Sequence, residues 1–271
     1  MKTNYGFGAF KSPEDKRDYI ITPFLLGKED FPSSDYLMSP VKSQGKRGSC
    51  VSYGTVAVKE YEEMVEHNLL PDTYIDLSEE HFYAEVRKEY WGKGWEEKEG
   101  ADGRSAAKVL STIGVCEERY WKYGKVQGET QPIDGYLKNA EKYKIKPSYV
   151  RVTKESEIPA TLAEFGPMTI SFYVYQNWID VKEDGKIKNS SWWSFKPLGG
   201  HLVCVCGFNP KTNMYKIKNS WSTKWGNEGY GYISRKEVQK ELMDAFAFVD
   251  IPDDTVVATL GGTIFRHERL A

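Results

Sequence analysis

Two hydrophobic periodicities divide this chain, and together they exclude most fold classes. From Cys50 to about residue 134, apolar residues recur at helical spacing. From about 135 onward they come in short β-branched or aromatic runs, "PSYVRV", "MTISFYVY", "HLVCVCGF", "MYKIKNS" and "AFAFVD", separated by turn residues. Helices first and strands second predict an α+β fold of two packed lobes, with an antiparallel, barrel-like sheet in the second and a cleft between them. No internal repeat or low-complexity linker interrupts the chain, and 40% hydrophobic content in 271 residues is ample for a large core.

The expected divisions are an arm over 1–40, a domain over 41–251 (helical to about 134, β-rich from 135) and a tail over 252–271. The arm holds Pro13, Pro23, Pro32 and Pro40 with little periodicity, and its length would let it cross the cleft as an occluding or pro-like segment. The tail "DTVVATLGGTIFRHERLA" reads as a hairpin around Gly261-Gly262.

Three helices are legible in the first half. One starts at Cys50, with Ser49 as its N-cap. Tyr53, Ala57, Tyr61 and Met64 or Val65 form its apolar face, and Ser52, Lys59, Glu62, Glu63 and Glu66 form a polar one. A second follows Ser78, with Leu77 placed to staple onto Phe82, and a third, "RSAAKVLSTIG", ends at Gly114. The glycine-rich loop "WGKGWEEKEGADG" is placed to line a cleft, and a further helix is expected over about Glu155 to Phe165.

Charge and targeting signals name no partner. The 37 basic and 39 acidic side chains nearly balance, with no basic stripe for nucleic acid, no apolar run near the ~20 residues of a membrane span, and no signal-peptide core. A cytoplasmic location is the expectation, with secretion by another route or association with a phage particle left open, and oligomeric state is not legible. Of the four cysteines, Cys204 and Cys206 are too close to bridge without strain, so free thiols in a reducing compartment are expected.

Cys50 at a helix start could be a nucleophile, because a helix N-terminus favours thiolate; taken alone it reads first as a packed bystander. It needs a base. His67, His81 and His267 read as structural, whereas His201 follows "PLGG" and opens the most apolar strand of the chain, where an imidazole needs a reason to be present. Asn219, in "YKIKNSWSTKWGNEGYGYI", could orient that imidazole, with Trp221 covering the bond. Cys204 and Cys206 with His201 lack a fourth ligand at regular spacing, so no metal is expected.

The blocks "QGKRGSC", "LSEEHFY", "DGRSAAKVLSTIGVCEERYW", "FGPMTISFYVY", "GGHLVCVCGF" and "KNSWSTKWGNEGYGYI", in this order over about Pro13 to Asp250, resemble the papain-like cysteine peptidases. "PEDKRDY" and "DGRSAAKVL" place the resemblance nearer bacterial, phage or viral members. The resemblance implies a papain-like fold, Cys50 as nucleophile, His201 as base and later acid, Asn219 as its orienting residue, and Gln44 with the Cys50 N–H as oxyanion hole. It further implies backbone contacts to substrate at Asp102 and Gly103, with Gly200 and Trp221 also lining the site, a protein or peptide substrate, and no cofactor. Cys50 and His201 are expected as a thiolate–imidazolium pair.

Two departures stand out. His201 and Asn219 lie 151 and 169 residues after Cys50, against the family's roughly 130–150. Arg47 replaces a cysteine that commonly anchors a disulfide; it is read as a solvated surface arginine or, secondly, as a cation aiding Cys50 ionisation. A thiol-dependent endopeptidase is the first reading. An amidase or peptidoglycan-bond hydrolase with the same triad, and a catalytically silent binding module, stay open on the sequence.

Overall fold

A computed structural model describes residues 4–16, 18–20, 33–145, 148–190, 196–249, 256–260 and 263–267; the arm's Pro23 and Pro32 lie outside them. The helices are α1 (Cys50–Glu66), α2 (Glu79–Trp91), α3 (Gly103–Thr112), α4 (Tyr136–Ala140), α5 (Ile158–Phe165), α6 (Gln176–Ile179) and α7 (Arg235–Glu241). The strands are β1 (Ala9–Phe10), β2 (Tyr19–Ile20), β3 (Ser34–Asp35), β4 (Ala101–Asp102), β5 (Ser148–Val152), β6 (Met168–Val174), β7 (Gly199–Asn209), β8 (Met214–Lys218), β9 (Tyr230–Ser234), β10 (Leu242–Val249), β11 (Val256–Leu260) and β12 (Thr263–His267).

The main sheet runs β2-β5-β10-β6-β7-β8-β9, antiparallel except for β2 on β5, with β3 added antiparallel to β7. Both of its faces are covered, which explains why its strands read as apolar runs rather than as strict alternation. Leu202, Cys204 and Cys206 of β7, with Phe246 and Phe248 of β10, pack in one core with α1, α2 and α3. Val203 and Val205, with Ala245 and Ala247, face the second core around Trp178, Trp221 and Trp225. Cys204 and Cys206 are therefore core thiols, and all four cysteines are free.

The polar face expected on α1 is not a solvent face. Thirteen of its 17 residues are buried, Ser52, Lys59 and Glu63 among them, while Val65 is exposed. The polar groups are paired inside: Ser52 Oγ donates to the Glu79 carbonyl at 2.7 Å, and Lys59 meets Glu63 at 2.9 Å. Helix α1 is the central helix, and Gly54 lets it press on β7, because a Cβ there would overlap Leu202.

Caps follow local chemistry elsewhere. Ser78 Oγ accepts from the His81 N–H at 3.1 Å, and Gly114 closes the third helix at φ +83°. The tail forms the expected hairpin, β11 against β12 with Leu260 opposite Thr263. No helix among the described residues is long and apolar enough to cross a membrane.

Candidate active site

Cys50 is the first residue of α1 and is fully buried. Its cap differs from expectation: Ser49 occupies the N-cap position, yet its hydroxyl pairs with the Tyr123 hydroxyl at 2.6 Å and caps nothing. The freed N–H groups of the first turn leave the positive end of the helix directed at the Cys50 region. Backbone groups of Leu202 and Gly8 also face the sulfur, so the thiol lies between the strand that carries His201 and the N-terminal arm.

His201 is fully buried near the start of β7, opposite Phe172 of β6. Its Nε2 pairs with Asn219 Oδ1 at 2.8 Å, and Nδ1 has no hydrogen-bond partner among the described residues. The 18-residue separation of these two side chains is closed by the β7–β8 pairing, which brings Cys204 opposite Lys218, just before Asn219. Trp221 stacks on the imidazole with centroids 4.5 Å apart and seals the bond from water.

Gln44 lies in the turn before α1 and is held on both sides. Its Oε1 accepts from Ser220 Oγ at 2.6 Å, and its Nε2 donates to the Arg47 carbonyl at 2.7 Å and to the Gly6 carbonyl at 3.2 Å. Gly6 belongs to the arm, so the amide expected to receive an oxyanion already meets a peptide carbonyl.

Residues 5–10 run through the cleft. Tyr5 stacks on Trp221 at 4.4 Å, and Phe7 sets its edge against His201 and Trp221 at 6.4 and 5.8 Å. The Gly8 N–H donates to the Gly200 carbonyl at 3.1 Å, and the Gly8 carbonyl accepts from Ala101 at 2.9 Å. Strand β1 then continues parallel along β4. Gly6 and Gly8 fit because neither carries a Cβ; one would overlap the carbonyl of Arg47 or of Gly48. Sequence reasoning placed no residue of the arm in the site. The signal was "GFG", two glycines flanking an aromatic in an otherwise charged segment.

Burial sets the charge state. Desolvation pushes the Cys50 thiol up to about 11 against the help of surrounding backbone groups, and it drives His201 down to about 4 against the Asn219 bond. With the arm in place, burial thus works against the expected thiolate–imidazolium pair at both partners.

Arg47 is not the solvated surface arginine of its first reading. It is buried and grips Glu80 of α2, with Nη2 2.9 Å from Oε1 and Nη1 on Oε2, while Nη1 also donates to the Gly124 carbonyl at 2.8 Å. Its plane lies over Tyr123 at 4.7 Å. A buried ion pair anchors this turn.

Of the expected substrate contacts, Gly200 faces the arm, and a Cβ there would overlap the Ala9 carbonyl. Asp102 contributes its backbone edge through pairing with Phe10, while its carboxylate caps α3 by accepting from Ser105 N at 2.7 Å. Gly103 lies close over the Phe246 ring, which a Cβ there would overlap. His81 is a core residue whose Nδ1 accepts from the Cys116 N–H at 3.1 Å, and His67 pairs with Glu63 at the surface at 3.2 Å; the side chain of His267 lies outside the described residues.

Residues 28–249 match the family described as papain family cysteine protease. A peptidase C1-like protein of Acanthamoeba polyphaga mimivirus is 28% identical over 93% of this chain and 88% of its own length. The gamete and mating-type specific protein A of Dictyostelium discoideum is 30% identical over 72% of this chain, which spans 40% of that relative. Among solved structures, xylellain, a cysteine protease from Xylella fastidiosa, superposes with a TM-score of 0.78 at 26% identity, covering 93% of this chain and 98% of that one. With the fold in agreement and viral and bacterial relatives spanning nearly its whole length, the chain belongs to the papain family of cysteine proteases, hydrolases of the cysteine-peptidase type that act on proteins or peptides.

Proposed function

We propose that this chain is a thiol endopeptidase in which Cys50 attacks the peptide carbonyl, His201 moves the proton and Asn219 orients His201. The observation that carries this reading is the buried His201 Nε2 to Asn219 Oδ1 bond at 2.8 Å, which leaves Nδ1 as the nitrogen without a partner on a ring next in sequence to Leu202, whose backbone faces the Cys50 sulfur. Nδ1 takes the thiol proton, the sulfur bonds to the carbonyl carbon, and Gln44 Nε2 with the Cys50 N–H stabilises the oxyanion. Return of the proton to the leaving amine yields a thioester acyl-enzyme, which water, deprotonated by the same ring, releases as acid.

Residues 1–40 act as an occluding arm in this reading, because residues 5–10 fill the cleft and their burial of the site holds thiol and imidazole neutral. A polypeptide bound main chain to main chain at Gly200 and Ala101 also favours a peptide over a muropeptide as substrate. The test is hydrolysis of a quenched peptide library beside cell-wall muropeptides by the wild type, Cys50→Ala and His201→Ala, in chains also carrying Gly8→Ala to free the cleft. Peptide cleavage that both site substitutions reduce at least a thousandfold supports the proposal. Cleavage that survives Cys50→Ala, or that is confined to muropeptides, overturns it.

A further inference from the structure

The arm is held beyond the cleft by one carboxylate between two arginines. Asp18 Oδ1 accepts from Arg104 Nε at 2.9 Å, and Oδ2 accepts from Arg104 Nη2 and from Arg151 Nη1, the latter at 3.1 Å; the Tyr149 hydroxyl donates to Oδ1 at 3.4 Å. The side chains of Asp18, Arg151 and Arg104 are only 2%, 7% and 14% exposed. The chain leading to Asp18 is tied to the same place: Arg151 donates to the carbonyls of Ser12 and Pro13, the Arg104 N–H donates to Ser12 Oγ, and the Ser12 N–H donates to Asp244 Oδ2 at 2.6 Å.

The cradle belongs to the domain, and the anion belongs to the arm. Arg104 is in the first turn of α3 and Arg151 is the next-to-last residue of β5, both rigid elements, and among the described residues no other carboxylate bonds to either guanidinium. When the arm leaves, two adjacent, largely buried cations lose the one carboxylate that bonds to them among the described residues, and the planar fork of arginine is matched to another carboxylate. Arg104 also stands directly after Asp102-Gly103, where the cleft-lining edge β4 ends, so the cradle continues the path that the arm takes from the cleft.

We propose that Arg104 and Arg151 form an acidic-residue-binding site, filled in cis by Asp18 as the latch of the closed arm and in trans by an aspartate or glutamate of a polypeptide that displaces it. The proposal rests on the occluding-arm reading above, and it gives Arg104 a role: the position selects an acidic side chain outside the reacting centre.

The test uses the full chain and two readouts that require no hydrolysis. Cys50 alkylation by iodoacetamide, read by mass spectrometry, should be at least tenfold faster in Asp18→Asn than in the wild type, and faster again than wild type in Arg104→Gln, which serves if the first variant folds poorly. A fluorescein-labelled peptide of residues 11–20 should bind the Asp18→Asn chain at least tenfold more tightly than the same peptide carrying asparagine at the Asp18 position. Adding Arg151→Gln should erase that difference. Equal binding of the two peptides, or wild-type labelling rates in both variants, overturns the proposal. Failure of every variant to cleave peptides would instead overturn the endopeptidase reading and leave the two measurements here as they stand.

Discussion

Replacing Arg47 by alanine should cost far more than a surface ion pair would. The guanidinium makes two bonds to Glu80 and one to the Gly124 carbonyl and lies over the Tyr123 ring. Without it, the Glu80 carboxylate stays buried at 3% exposure with the Gly124 N–H at 3.2 Å as its remaining bond. Removing one partner of a buried pair costs about 3–5 kcal/mol, because the other charge is left uncompensated. For 271 residues the unfolding entropy is roughly 0.57 kcal/mol/K near 60 °C, which converts that cost to a fall of about 5–9 °C in Tm. Calorimetry of Arg47→Ala, Glu80→Ala and the double variant Arg47→Met/Glu80→Leu would read it, and the double variant should recover most of the loss, since the charge burial disappears with the pair. A shift below about 2 °C in Arg47→Ala would refute the reasoning, for it would match a solvated pair of about 0–1 kcal/mol.

Three other outcomes follow from the same geometry. Gly8→Ala has no room against the Gly48 carbonyl, so the arm should unseat and Cys50 alkylation at neutral pH should rise at least tenfold; an unchanged rate would show that the arm does not shield the thiol. Gln44→Ala should lower kcat/KM by roughly 10²–10³, the loss of one preorganised oxyanion donor, and a drop under fivefold would remove Gln44 from the mechanism. Burial holds His81 at about 3 in the folded chain, below the ordinary imidazole value of about 6.5. Its stabilisation is therefore complete above about 6.5 and is lost as pH falls through that value toward 3. Between pH 7.5 and 5, wild type should lose about 2 kcal/mol more in urea unfolding than His81→Gln does, and equal losses would refute a buried neutral His81.

Where sequence and structure part company, the cause is tertiary burial. Helix α1 looked two-faced because Ser52, Lys59 and Glu63 are polar, but polar residues are compatible with burial when partners arrive from other elements, as the Glu79 carbonyl does for Ser52. Arg47 looked solvated for the same reason: its partner Glu80 is 33 residues away, and no local pattern links them. Ser49 read as a cap from residue type, yet Tyr123, 74 residues on, took its hydroxyl.

The α+β division, the caps at Ser78 and Gly114, the tail hairpin and the pairing of His201 with Asn219 could all be named from residue order, because each depends on periodicity, turn chemistry or a distinctive motif. That an arm of this length could cross the cleft was legible too, but which of its residues fill the cleft was not. Whether Gly6 and Gly8 are loose turns or a fit for the Cys50 cleft depends on the carbonyls of Arg47 and Gly48 waiting within contact distance, and whether Asp18 is a solvated charge depends on Arg104 and Arg151 converging on it from a helix and a strand. Sequence carries the chemistry available to each residue. Only the folded chain decides which groups lose their water, and that loss pushes the Cys50 thiol up and the His201 imidazole down, each toward its neutral form, while the arm is in place.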